Sequence, residues 1–76
     1  MTITIFYFAQ LAEESGIRKE TISLETEEIT IQSLFIKIFD RTPKGIRFAQ
    51  NQEYVEADTH LSDGDEIAFI PPFGGG

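Results

Sequence analysis

The chain has 76 residues, enough for one domain, and its hydrophobic content of 41% argues against disorder. It contains no cysteine, which excludes disulfides, cysteine-ligated zinc, iron–sulfur clusters and thiol catalysis. A net charge of −7, with only 6 Lys and Arg residues, disfavours a nucleic-acid partner.

The first segment is rich in β-branched and aromatic residues, which predicts a strand over residues 2–8. With a period of two, one face of this strand carries Ile3, Ile5 and Tyr7. The other face carries Thr4, Phe6 and Phe8. Apolar groups on both faces indicate a central strand, or a face reserved for a partner. The segment lacks a signal-peptide pattern and is too short to span a membrane, so we expect a cytoplasmic protein with no membrane partner.

Two elements are predicted before the main helix. Good helix formers over residues 10–16 predict a short helical turn with a left-handed cap at Gly16, and alternation over 18–24 predicts a second strand. Thr30 is expected to cap the main helix, with Glu27 and Glu28 near its positive end. The spacing of the apolar residues in this helix predicts a buried stripe of Ile31, Leu34, Phe35 and Ile38. The helix should stop before Pro43, because a residue that precedes proline is pushed away from helical angles.

The second half of the chain reads as short strands over residues 47–50, 54–55 and 66–70. Asn51 and Gln52 are expected to form a hairpin turn, and Gly64 the centre of a tight turn. This order of elements predicts an α+β fold in which one main helix packs across a mixed sheet. It is the β-grasp arrangement, in which the first and last strands lie side by side and parallel at the sheet centre.

The chain ends with two prolines, a phenylalanine and three glycines, and we expect residues 71–76 to form a tail of a single domain over residues 1–76. Prolines stiffen the base, and glycines without a Cβ can thread a channel toward a buried reaction centre. The terminal carboxylate becomes an acyl donor once it is activated, commonly as an acyl-adenylate. A terminal glycine run is, by itself, also what a frayed end or a cloning remnant would give.

Three stretches, residues 8–16, 51–55 and 61–72 with the diglycine end, closely resemble the MoaD family of ubiquitin-like sulfur carriers, the small subunits of molybdopterin synthase. The resemblance covers essentially the whole chain and is weakest over residues 25–46. The family usually has a small polar residue where this chain has Gly74 and an aliphatic one where it has Phe73. Both departures leave the terminal chemistry intact.

The resemblance implies a cycle with three partners: a ubiquitin-activating-type adenylating enzyme, a sulfurtransferase and the large synthase subunit. The first would use ATP to adenylate the carboxylate of Gly76, next to Gly75, and the second would convert it to a thiocarboxylate. This chain, with no bound cofactor or metal, would then donate sulfur to cyclic pyranopterin monophosphate, forming the dithiolene of molybdopterin. Acid and base groups are expected on the large subunit, in a heterotetramer.

An aromatic surface is the second candidate site. If Ile3, Ile5, Ile67 and Phe69 face the helix, then Phe6, Phe8, Ala68 and Ile70 face outward and mark a protein interface. A one-residue error in register would exchange the two faces. The residues predicted to bind the partner are Phe6, Phe8, Tyr54, Ile70, Phe73 and Gly74.

Other functions are considered beside this one. The alternatives are a sulfur carrier of thiazole synthesis, a ubiquitin-like modifier that forms isopeptide bonds, and a binding module with an inert tail. His60 is interpreted as a lone polar loop residue, since no cysteine or serine–acid pair accompanies it. The acidic run over residues 63–66 lacks the full spacing of a calcium loop and is interpreted as a hairpin turn.

Overall fold

The computed structural model describes residues 1–72, and five strands and two helices lie within them. In chain order they are β1 (Thr2–Tyr7), α1 (Ala9–Ser15), β2 (Lys19–Ser23), α2 (Ile31–Phe39), β3 (Arg47–Gln50), β4 (Glu53–Val55) and β5 (Glu66–Ile70). The order matches the predicted one, although β1 ends one residue earlier than expected. Within residues 1–72, neither helix has the length and apolar character that crossing a membrane requires.

The strands form one sheet in the order β2-β1-β5-β3-β4. The central pair, β1 and β5, is parallel with Ile5 opposite Ile67, and every other neighbouring pair is antiparallel. A parallel pair needs a long crossover connection, and here α2 and the β3–β4 hairpin lie within it. The predicted mixed sheet and its parallel central pair are therefore confirmed, and the fold is a β-grasp.

The core lies between α2 and one face of the sheet. Ile31, Leu34 and Phe35 on the helix are fully buried, as are the residues facing them on the central strands: Ile3, Ile5, Ile67 and Phe69. The rings of Phe35 and Phe69 meet edge to face, with centroids 5.2 Å apart. This confirms the predicted assignment of the two faces, because a one-residue slip of register would have exposed these four residues instead.

The helix ends follow local signals, one of which differs from the prediction. The Thr30 hydroxyl accepts a hydrogen bond from the Ser33 amide at 3.1 Å, and Gly16 ends α1 at a φ of 79°, both as predicted. Helix α2 stops before Pro43 as expected, yet the residue that ends it is Asp40, at a φ of 57°. Aspartate is one of the few residues that adopt this left-handed conformation routinely. Proline is therefore not the direct cause of this helix end.

Candidate functional site

A row of side chains crosses all five strands on the sheet face that points away from α2. The paired positions are Lys19 with Phe6, Phe6 with Ala68, Ala68 with Ala49, and Ala49 with Tyr54. Paired residues of neighbouring strands project to the same side of a sheet, so two small side chains lie between two aromatic rings. The result is a trough with an alanine floor and aromatic walls.

This trough has a volume of about 370 Å³. Its lining is mainly apolar and includes Phe6, Phe8, Ala49, Tyr54, Ile67, Ala68 and Ile70, with Gln52 and Glu66 as its polar members. Phe8 is 44% exposed and Tyr54 is 67% exposed, which is unusual for rings of this size unless another surface covers them. The structure thus brings together four of the residues predicted to bind a partner: Phe6, Phe8, Tyr54 and Ile70.

Two cations stand beside the aromatic walls of the trough. Lys19 Nζ lies 5.5 Å from the centroid of the Phe6 ring, and Arg47 Cζ lies 5.5 Å from that of Tyr54. Both distances are within the range of cation–π attraction. Glu66 also lines the trough, so the two cations flank a surface that carries an acidic group as well. Sequence reasoning missed Lys19, Arg47 and Ala49, because each enters the site only through strand pairing.

The trough continues into the base of the tail. Strand β5 ends at Ile70, after which Pro71 is buried and Pro72 is exposed. A depression of about 360 Å³ lies here, and Tyr54 and Ile70 line both it and the trough. Pro71 and Pro72, at the base of the tail, therefore lie next to the aromatic surface. Four predicted site residues lie outside the described part of the chain: Phe73, Gly74, Gly75 and Gly76.

A buried carboxylate holds the segment that leads into β5. Asp65 is 7% exposed, and its Oδ2 accepts hydrogen bonds from Gln50 Nε2 and the Ser62 amide, both at 2.7 Å. Its Oδ1 accepts from Asn51 Nδ2 at 3.0 Å. Burial alone would raise the pKa of the Asp65 carboxyl, but these donors outweigh burial and hold the pKa below its usual range. We call the hydrogen bonds from Gln50, Asn51 and Ser62 to this carboxylate the Asp65 clasp. The Asp65 clasp joins the β3–β4 turn to the start of β5.

The other polar candidates, His60 and the acidic run over residues 63–66, make contacts that belong to the fold. His60 is exposed, and its backbone pairs with Thr30 and accepts a hydrogen bond from Gln50. Asp63 and Gly64 form the predicted turn, where Asp63 Oδ1 accepts from the Thr2 amide at 2.7 Å. Within residues 1–72, no three His, Asp or Glu side chains come together in a way that could hold a metal ion.

The sequence is similar to proteins of known families over nearly its full length. Residues 5–76 match the ThiS family. The molybdopterin synthase sulfur carrier subunit of Homo sapiens is 43% identical over 83 aligned positions, which cover 97% of this chain and 93% of that protein. The subunit of the same name from Chlamydomonas reinhardtii is 39% identical over 83 positions, covering 100% of both chains.

Solved structures share the fold at lower sequence identity. SAMP1 from Haloferax volcanii superposes with a TM-score of 0.79 at 21% identity, covering 100% of both chains. The thiamine biosynthesis protein ThiS from Geobacter metallireducens gives 0.67 at 21% identity, again over 100% of both chains. A chain from the complex of subunits 1 and 2 of molybdopterin-converting factor from Helicobacter pylori gives 0.64 at 20% identity, with 100% of both chains covered. These likenesses establish the ubiquitin-like β-grasp fold.

Proposed function

The chain belongs to the ThiS family, and from this premise we propose that it is the sulfur carrier subunit of a molybdopterin synthase. The observation that carries the proposal is the similarity to the human and Chlamydomonas subunits of that name, over 97% and 100% of this chain. The position of the trough supports the same function, because a partner that covers it also lies beside the exit of the tail.

In the proposed cycle, the reacting group is the carboxylate of Gly76. An adenylating enzyme of the ubiquitin-activating type uses ATP to convert it to an acyl-adenylate, and a sulfurtransferase system replaces the adenylate with sulfur. Each resulting thiocarboxylate donates one sulfur to cyclic pyranopterin monophosphate and is left as the carboxylate, so two charged chains supply the two sulfurs of the molybdopterin dithiolene. Gly75 lacks a side chain and lets the terminus enter a narrow catalytic centre. This chain is then the sulfur donor, and the acid and base groups belong to the large subunit.

The large subunit is the proposed occupant of the trough. A chain similar to this one is found in the Helicobacter complex of subunits 1 and 2, which supports such a pairing. The exposed parts of Phe8 and Tyr54 would leave water on docking, with Phe6 and Ile70 beside them, and Phe73 and Gly74 would extend the contact along the tail. Lys19 and Arg47 favour carboxylates on the partner at the edges of the trough.

The proposal is tested by the intact mass of the chain after incubation with ATP, a sulfide source and the adenylating enzyme. We expect a mass gain equal to the exchange of one oxygen for sulfur, which is lost again when the large subunit and cyclic pyranopterin monophosphate are added. A chain that lacks Gly75 and Gly76 is the control and should gain nothing. If the intact chain also stays unchanged with an active enzyme, the sulfur-carrier function is wrong.

Two alternatives share the fold and the terminus. A modifier would form isopeptide-linked adducts with lysines of other proteins in cell extract, and a carrier for thiazole synthesis would deliver its sulfur to a thiazole-forming enzyme. The likeness to SAMP1 and to ThiS is at 21% identity in each case, so it rests on the fold and does not favour either function.

A further inference from the structure

The trough has a polar end, formed by Gln52 and Glu66. Strand β5 runs from Glu66 through Ala68 in the trough floor to Ile70, and alternate residues of a strand project to the same side of the sheet. Arg47 pairs with Ile70, at the end of β5 that leads into the tail. The trough therefore has a cation beside the base of the tail and a carboxylate at its opposite end.

The backbone of Gln52 adopts a conformation that costs stability. Asn51 and Gln52 connect β3 and β4 in a two-residue turn, with φ values of 51° and 73°. Turns with two positive φ values favour glycine at the second position, and a larger residue there is strained. The side chain of Asn51 belongs to the Asp65 clasp, but none of the hydrogen bonds within residues 1–72 involves the side chain of Gln52. The strain at Gln52 is therefore not offset by a hydrogen bond of its side chain in that part of the chain.

The backbone of Glu66 is fixed next to this turn. The Asn51 amide donates to the Glu66 carbonyl at 2.7 Å, and the Glu66 amide donates to Asn51 Oδ1 at 3.0 Å. The Glu66 side chain is exposed in the trough, and the ion pair found within residues 1–72 joins Arg41 and Glu14 instead. A carboxylate and a side-chain amide, both without a partner among the described residues, are thus held at the same end of the trough.

We propose that Gln52 and Glu66 form a binding site for a guanidinium group, supplied by an arginine of the large subunit. A carboxylate accepts two parallel hydrogen bonds from a guanidinium, and the amide oxygen of Gln52 can accept another. The ring faces of Phe6 and Tyr54 suit a planar, weakly hydrated cation better than the compact ammonium of lysine. The inference deepens the proposed function and rests on it for the identity of the partner.

The opposite charges at the two ends of the trough make docking directional. A guanidinium is attracted by Glu66 and repelled by Arg47, whereas a carboxylate of the partner is attracted by Arg47 and repelled by Glu66. Complementary charges of this kind fix the register of an interface more than they raise its affinity. A partner that carries both charges therefore binds in one orientation, with its carboxylate beside the base of the tail and its arginine at the polar end.

Removing the charge of Glu66 tests the role of the carboxylate. We expect Glu66→Gln to lower the affinity for the large subunit about tenfold or more in calorimetric titration, and to make that affinity less sensitive to salt. Glu53→Gln removes the same charge from an exposed position of β4 outside the trough, and should bind like the wild type. Equal affinities of the two variants would overturn the inference.

Gln52→Gly separates binding from stability, because the two should change in opposite directions. Glycine relieves the strain at a φ of 73°, so we expect the Tm to rise by about 4 °C. The side-chain amide is lost, so the affinity for the large subunit should fall about fivefold. Asp40→Gly, at a φ of 57° outside the trough, is the control and should leave the affinity unchanged. A Gln52→Gly chain that binds as tightly as the wild type would contradict the inference.

A third measurement needs no partner protein. The free chain is titrated with N-acetyl-arginine amide and, as a neutral compound of the same shape, with N-acetyl-citrulline amide, while the NMR signals of its amides are followed. We expect saturable shifts at Gln52 and Glu66 with the arginine compound alone, and none in Glu66→Gln. The same shifts with both compounds, or no shift with either, would refute the inference. Shifts limited to the arginine compound, in a chain that does not bind the large subunit, would leave the inference standing and remove the proposed function.

Discussion

Ala49 and Ala68 face each other on the neighbouring strands β3 and β5, and this pair forms the floor of the trough between Phe6 and Tyr54. The trough exists because both residues are small, while the side chains on either side are aromatic. A surface that is shaped by the absence of side-chain volume can be tested by restoring that volume.

Filling the floor should therefore weaken partner binding. We expect Ala68→Leu to reduce affinity for the large subunit by about tenfold, since extra volume in a fitted contact costs about 1–3 kcal/mol. Thr21→Leu adds the same side chain on an exposed part of β2 outside the trough and should bind like the wild type. Isothermal titration calorimetry measures both. Equal affinity of Ala68→Leu and Thr21→Leu would show that the partner does not enter the trough.

Placing a charge on an aromatic wall should have a similar effect. Phe8 is 44% exposed in the trough and Ile17 is 40% exposed outside it, so aspartate at either position meets comparable solvent. We expect Phe8→Asp to lose about 2 kcal/mol or more of binding free energy, as buried aromatic anchors do, and Ile17→Asp to lose almost none. Circular dichroism confirms that both variants fold. The same loss at both positions would point to a general charge effect.

The Asp65 clasp predicts acid sensitivity of the fold. Because the pKa of Asp65 is lowered in the folded chain, the stabilisation is fully present above the pKa of the unfolded carboxyl, about 4, and is lost as the pH falls through the lower folded value. Urea unfolding between neutral pH and about pH 3 follows this loss.

Asp65→Asn should lower the free energy of unfolding at neutral pH by about 1–3 kcal/mol, because its NH2 group replaces one acceptor oxygen. That group would face either the Gln50 and Ser62 donors or the Asn51 donor. The variant should also depend less on pH in the acid range. Asp58→Asn, at an exposed position, is the control and should behave like the wild type. If the free energy of unfolding of Asp65→Asn depended on acid pH as steeply as that of the wild type, other carboxyls would be responsible for the acid sensitivity.

Tyr7 predicts an effect at alkaline pH. Its ring is buried, and its hydroxyl donates a hydrogen bond to Glu20 Oε2 at 2.7 Å. Burial raises the pKa of the phenol most, and the hydrogen bond to Glu20 and the charge of Glu20 raise it further. The stabilisation is present below the pKa of the unfolded phenol, about 10, and is lost as the pH rises through the higher folded value.

The chain has 2 tyrosines, so Tyr54→Phe leaves Tyr7 as the only source of phenolate absorbance. We expect the folded variant to show no phenolate near pH 10 and to show it once urea unfolds the chain. Tyr7→Phe should unfold more easily by about 1 kcal/mol at neutral pH, since it leaves Glu20 without this donor. Ordinary titration of Tyr7 in the folded variant would contradict the prediction.

Much of the fold could be predicted because its signals are local. The alternation of Ile3 and Ile5 with Thr4 and Phe6 separates a core face from an open face, and Thr30 and Gly16 mark helix ends by the hydrogen bond or the φ that each allows. The resemblance of the terminal segment to a sulfur-carrier family also comes from sequence alone. The β-grasp fold and the family membership are confirmed, while the roles of Gly75 and Gly76 stay predictions.

The sequence by itself determined which side chains are apolar, where the period changes and what chemistry a glycine terminus can offer. Only the tertiary structure decided which side chains meet, as Ala49 does with Ala68 and Asp65 with Gln50. The physical reason is the distance along the chain over which each kind of signal acts. Periodicity and capping act within a few residues, whereas these contacts join segments 15 or more positions apart, and the pairing register that creates them is a property of the whole sheet.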